Sequence, residues 1–172
     1  MSTLKLATFT LIRVVVNTAF RMIYPFLAVF ARGLGVEIGT VSGLVANRAL
    51  FGAAIPFIFP FIETRGRKFG MLLGLGLFAL AMGLVALYPS LTTLGIALVL
   101  GLMGKAIFDP SLTSYVADHI SYEKRGTAIA ITEFSWSLAF IAGIPAVGWI
   151  IARGTWSSPL RMLAFLGAAA FL

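Results

Sequence analysis

Two arginines inside a single apolar run constrain this chain more than any other feature. From Leu4 to Phe30 the residues read as a membrane helix, yet Arg13, Asn17 and Arg21 recur at every fourth position. At about 100° per residue the three fall within about 80° of one another, with Thr10 and Tyr24 on the same side. Each arginine near the centre of a membrane helix costs about 2.5–3.5 kcal/mol on insertion scales, so the two together cost about 5–7 kcal/mol. The Leu, Ile, Val and Phe residues of the run return about 4–8 kcal/mol. The sums cancel, so this helix is not built to face lipid all round. Its stripe needs shelter from other helices or a water-filled cavity along it. That stripe is the candidate functional site.

The rest of the chain is strongly apolar as well. Of 172 residues, 60% are hydrophobic and 11% charged, and mean hydropathy is +1.02; a soluble domain carries about a quarter charged residues. The expected fold is an all-α, polytopic membrane bundle. Six apolar segments cover about 4–30, 38–62, 69–88, 94–117, 126–152 and 160–172. Runs near twenty residues exclude the alternating ten-residue pattern of an outer-membrane barrel. Arg13 and Arg21 also interrupt any signal-peptide core, so the first run is read as a retained helix. The sixth run has about thirteen residues before Leu172, too few to cross about 30 Å of hydrocarbon. The expectation is therefore a piece of a longer protein.

Several functions are excluded at this level. The chain has no cysteine and one histidine, His119, in an expected loop. Thiolate metal sites, multi-His metal sites and a His-dependent serine dyad are ruled out, no cofactor is implied, and an enzyme is not expected. The net charge of +7 could suggest nucleic acid. The basic residues lie in short loops or inside apolar runs instead, so no nucleic-acid partner is expected.

Loop charge sets the expected orientation. Lys5, Arg65, Arg67, Lys68, Lys124 and Arg125 lie on one side; Arg32 and Arg153 lie on the other, with Arg161 at the edge of the sixth run. The first group should face the cytoplasm, which puts the N-terminus inside a plasma (inner) membrane. Within the spans stand Arg13, Arg21, Arg48, Lys105, Asp109 and Glu133, four bases against two acids. They occupy the first, second, fourth and fifth segments, which should face protein or water; the third and sixth are free to face lipid. Arg13, Asp109 and Glu133 share one depth, and Arg13 should pair with either acid as a coupling or charge network. Lys105 and Asp109 are also spaced to pair along their own helix. Arg21, Arg48 and Lys105 form a second, wholly basic layer. With Asn17 and Tyr24 they are the candidate substrate-binding residues.

Each leading helix of the two three-helix groups carries a cation followed by proline, Arg21 to Pro25 and Lys105 to Pro110. Proline frees a carbonyl one turn back and bends its helix. Matching interruptions in matching helices point to a site built from 3+3 inverted repeats. Gly70-x-x-x-Gly74 and Gly101-x-x-Gly104 allow close helix contact.

The loop after the second segment, Phe59-Pro-Phe-Ile-Glu63-Thr-Arg-Gly66-Arg67-Lys68, resembles the signature Gly-x-Leu-x-Asp-Arg-x-Gly-Arg-Arg of the major facilitator superfamily. Glu63 stands at the acidic position, and Gly66, Arg67 and Lys68 match the turn glycine and basic pair. Phe59 replaces the first glycine and Thr64 the first Arg. The stretch from Asp118 to Arg125-Gly126 is similar to that family's loop between helices four and five. Ile141-Ala-Gly143-Ile-Pro145-Ala-Val-Gly148 is similar to the fifth helix of its exporters, while Ala97 stands where many members carry a fourth-helix Arg. The resemblance implies the N-terminal half of a twelve-helix transporter working by alternating access. Helices one and four would line the cavity, two and five would meet the other half, and three and six would lie outside. Glu63, Gly66, Arg67, Lys68, Asp118 and Arg125 would form the gating loops. Its expected partners are the lipid bilayer, a small-molecule substrate, and a missing C-terminal half or a second copy. Drug export and anion transport both fit. A non-transporting membrane module, or a half-transporter acting as a homodimer, is the alternative.

Overall fold

The structure, a computed structural model, describes residues 2–171, with Ile58 by its backbone alone; the expected end of the sixth segment at Leu172 lies outside them. Every regular element among the described residues is helical. Five stretches are long and apolar enough to cross a membrane, and a sixth, Ser158–Phe171, is shorter.

The first span is α1, Thr3–Met22, and α2, Leu27–Leu34. Ser2 caps α1 by accepting from the Lys5 amide. Pro25 has no N–H for the Arg21 carbonyl, so the ladder fails at 23–26 and short turns close it, Tyr24 N to Arg21 O and Phe26 N to Met22 O. Gly35, at φ 66°, ends α2, and the Val36 amide reaches back to the Ala31 carbonyl. The second span breaks in the same way ahead of Pro56, into α3, Ile38–Gly52, and α4, Ile55–Glu63. The third is α5, Arg67–Leu87, and the fourth is α6, Leu91–Asp118. Ser90 and Thr93 cap α6 reciprocally. Pro110 sits inside α6 without ending it, unlike Pro25.

The fifth span is the least regular. It runs through α7, Tyr122–Glu133, α8, Ser135–Leu138, a π-helical turn, Ala139–Gly143, and α9, Ile144–Arg153. Pro145 removes the donor that the Ile141 carbonyl would use in an α-helix, and the wider turn forms just before it. Gly143 faces Thr18 of α1 so closely that a Cβ there has no room. The sixth element is α10, Ser158–Phe171.

Glycines set the packing. At Gly74 and Gly104 the backbones of α5 and α6 touch: a Cβ on either would lie 2.6 Å from the other's carbonyl oxygen. Around this contact Leu75, Phe78, Val85, Phe108 and Leu112 form the core, with Leu160 and Leu163 of α10 on the far side of α5. The charge-free third span is the most enclosed of the five long ones, because its glycine face takes α6 and another face takes α10. The second and fifth spans are the least enclosed and present Leu50, Phe57, Phe61, Phe134, Ile141 and Trp149 outward.

Candidate functional site

The stripe on α1 meets its partners from three other elements. Arg13, 4% exposed, directs Nε to Asp109 Oδ1 at 3.2 Å and Nη1 to Glu133 Oε1 at 2.6 Å. Its Nη1 also donates to Thr132 Oγ1 at 3.4 Å. Lys105 Nζ donates to Asp109 Oδ2 and to Asn17 Oδ1, both at 2.5 Å. Asn17, fully buried, passes its amide N–H on to Ser135 Oγ at 3.0 Å. One continuous chain, Glu133–Arg13–Asp109–Lys105–Asn17–Ser135, therefore stitches α1 to α6, α7 and α8. Asp109 takes both cations, one on each oxygen. A part-buried carboxylate between two buried cations satisfies the rule that buried charge must be paired.

The expected division into a mixed layer and a wholly basic layer does not hold. Lys105, expected in the basic layer, reaches one helical turn along its own helix to Asp109 and joins the first network. Of the four bases within the spans, Arg21 and Arg48 have no carboxylate within ion-pair distance among the described residues.

Arg21 rests on aromatic faces instead. Its guanidinium carbon lies 4.4 Å from the Trp136 ring centroid and 4.6 Å from that of Phe140. Its Nε is buried with no hydrogen-bond partner. Lys105 Nζ lies 4.4 Å from the same Trp136 ring. Trp136 is thus the shared floor beneath two cations. Arg48, 4% exposed, lies over Phe20 at 4.6 Å and donates to the Tyr24 hydroxyl at 2.8 Å. It borders a space lined by residues of α1, α5 and α6, while Tyr24 is half exposed. Thr10, on the stripe by angle, returns its hydroxyl to the Leu6 carbonyl.

Trp136, Phe140, Phe20, Thr132 and Ser135 belong to the site and were not legible as such. One signal was present: Glu133, Trp136 and Phe140 fall at i, i+3 and i+7, one helical face.

At the loop end, Arg67 pairs with Glu63 and, through Nε, with Asp118 Oδ2 at 3.4 Å. The loop after α4 is thereby tied to the last residue of α6. Gly66 turns there at φ 96°, ψ 154°, a backbone state open only to glycine. Lys68 is exposed. Arg125 does not join this group; its Nε donates to the Ile120 carbonyl at 3.1 Å and so holds the α6–α7 turn. His119 stacks on Tyr115 at 4.1 Å.

The family model described as Major Facilitator Superfamily matches residues 9–172. The chain belongs to that superfamily. Among curated members, Multidrug resistance protein 2 of Bacillus subtilis is 28% identical over 149 residues, 86% of this chain and 36% of that protein. The multi-drug resistance efflux pump PmrA homolog of Lactococcus lactis is 27% identical over 159 residues, 89% of this chain and 38% of the other. The uncharacterized MFS-type transporter YwfA of B. subtilis is 26% identical over 133 residues, 75% and 32% of the two chains. The chain spans about a third to two fifths of the length of these superfamily members. It is a multi-pass membrane chain of helices, with the bilayer as its surroundings.

Proposed function

We propose that this chain is the N-terminal bundle of a secondary transporter that carries a small amphipathic or anionic solute across the plasma (inner) membrane by alternating access, its N-terminus cytoplasmic. Superfamily membership points to transport and away from catalysis. The observation that carries the reading is Arg21, a cation held against Trp136 and Phe140 with a buried, unpartnered Nε. Such a group in a membrane helix calls for an acceptor from a ligand or a facing surface. Lys105 and Asn17 border it through Trp136 and the charge chain, and Tyr24 supplies an exposed hydroxyl. Arg48 acts through Tyr24, whose hydroxyl it holds. Two relatives named for multidrug resistance and multi-drug efflux support a drug-sized substrate and export. Asp109 or Glu133, the two acids within the spans, would carry a coupling proton. A C-terminal six-helix half, or a second copy, would cover the aromatic faces of the second and fifth spans.

Transport assays in everted vesicles, with the full-length protein and paired anionic and cationic fluorescent substrates, test this. Arg21→Met is expected to raise KM about 10–100-fold for the transported solute, the worth of one charge-assisted hydrogen bond of about 1.5–3 kcal/mol. Arg21→Lys should recover part of that loss, and Trp136→Ala should mimic it. Unchanged KM in all three variants would remove Arg21 from the substrate path.

The gating loops predict a different signature. Gly66→Ala forces a Cβ into a glycine-only backbone state at a cost of about 1–3 kcal/mol. Nothing crowds that position, so the strain falls on the loop alone. Turnover is expected to drop several-fold with KM little changed; a normal turnover rate would free the loop of any gating part.

A further inference from the structure

We infer that Arg48 holds a monatomic anion, a chloride or another halide, inside the bundle. Three observations carry this. First, the side chain is 4% exposed and has no carboxylate within ion-pair distance among the described residues. Its one hydrogen-bond acceptor among them is the neutral Tyr24 hydroxyl, and a guanidinium offers five N–H donors. An uncompensated cation in this setting is costly, and a counter-ion removes the cost.

Second, a cleft of the right size lies beside it. The space open to the centre of a water-sized sphere is about 20 Å³, bordered by Val16, Phe20, Phe78, Met82 and Leu102 together with Arg48. That holds one water or one small ion. A buried water needs two to four polar partners, and Arg48 is the sole polar side chain bordering the space among the described residues. A halide only accepts hydrogen bonds, and the guanidinium, which only donates, has N–H groups beyond the one Tyr24 takes. The lining therefore favours an ion over water.

Third, the one charged side chain bordering the cleft is a cation, and no acid borders it among the described residues. Lys105 Nζ lies 5.6 Å from the Phe20 ring centroid that Arg48 approaches at 4.6 Å. Lys105 is already neutralised by Asp109, so Arg48 is the cation beside that ring left without a counter-charge. Its size, about 20 Å³, matches a monatomic ion, and its lining separates it from the Trp136 and Phe140 face of Arg21.

The anion would also reach the break in the first span. Arg48 donates to Tyr24, and Tyr24 lies in the interrupted turn at 23–26. Occupancy at Arg48 fixes the guanidinium and, through it, the hydroxyl beside Pro25.

The test is thermal unfolding of the full-length protein in detergent, with chloride replacing gluconate at constant ionic strength. Between 1 and 100 mM chloride the expected rise in Tm is about 3–8 °C. Gly101→Ala is the decisive variant. Its new Cβ meets only Met82 Cε, at 3.8 Å, so the helix accepts it while the methyl narrows the cleft. Arg48→Met removes the charge outright. Both variants should lose the chloride response, and Gly101→Ala should have a gluconate Tm at or above that of the parent, since Ala is the better helix former. An identical parent Tm in the two salts would overturn the inference, as would a chloride response that survives both substitutions. Neither result touches the transport reading, which rests on Arg21.

Discussion

Asp109→Asn is expected to be the most damaging single substitution in the charge network. Asp109 accepts from Arg13 on one oxygen and from Lys105 on the other, and its side chain is 19% exposed against 5% and 8% for the two cations. Removing its charge leaves both cations partly uncompensated. Breaking a buried pair at one partner costs about 3–5 kcal/mol. The loss should appear as a large fall in Tm in detergent and as abolished uptake. Lys105→Met in the same background should restore much of the stability, since it removes the cation that Asp109 alone neutralises. A double-mutant cycle reads this coupling directly. If the double variant is as unstable as the sum of the singles, the network is not an energetic unit. Glu133 behaves differently. Its side chain is 46% exposed, and Arg13 keeps Asp109 when it is gone. Glu133→Gln should cost at most about 1 kcal/mol, the scale of an exposed pair, and removing Arg13 as well should add harm instead of rescuing it.

The second large effect is steric. Gly74→Val or Gly104→Val is expected to separate α5 from α6. A Cβ at Gly74 would lie 2.6 Å from the Gly104 carbonyl oxygen and 2.8 Å from the Phe108 amide nitrogen. These are backbone atoms on a helix, so no rotamer change relieves the clash. Overpacking of this kind costs about 1–3 kcal/mol or more, and the monodisperse fraction after solubilisation should fall sharply. Gly83→Ala on the same helix is the control. Nothing lies within 4 Å of its Cβ, and Ala is the better helix former by about 1 kcal/mol. A folded Gly74→Val protein with parental Tm would show that the contact does not govern packing.

The sequence announced the fold through quantities that need no partner: run length, hydropathy, and the loop motif at Glu63 to Lys68. It also announced which helices carry buried charge, because an arginine in an apolar run has to be sheltered. What it hid depends on reach and direction. Lys105 and Asp109 could be seen as neighbours on one helix, but not that Arg13 would claim Asp109's second oxygen. Arg48 was counted with Arg21 because depth along a helix is readable; which way α3 turns its face is not. Trp136 went unread because an aromatic residue in a membrane segment has an ordinary explanation, and only the two cations beside it give it another. The absence of charge on the third span read as freedom to face lipid. Its glycines at Gly70 and Gly74 carried the contrary message, a face pressed against α6.

The charge network also sets a timetable for synthesis. Arg13 and Asp109 are 96 residues apart, and Lys105 stands 88 residues after Asn17. At about 5–20 residues per second, the first span leaves the ribosome about 5–20 s before its counter-charges exist. During that interval Arg13 lacks the two acids it later pairs with, and insertion of α1 is near balance. The first helix made is therefore among the last to be secured. It waits at the insertion machinery or the membrane surface until the fourth and fifth spans arrive, and the ion pairs act as the latch that closes assembly.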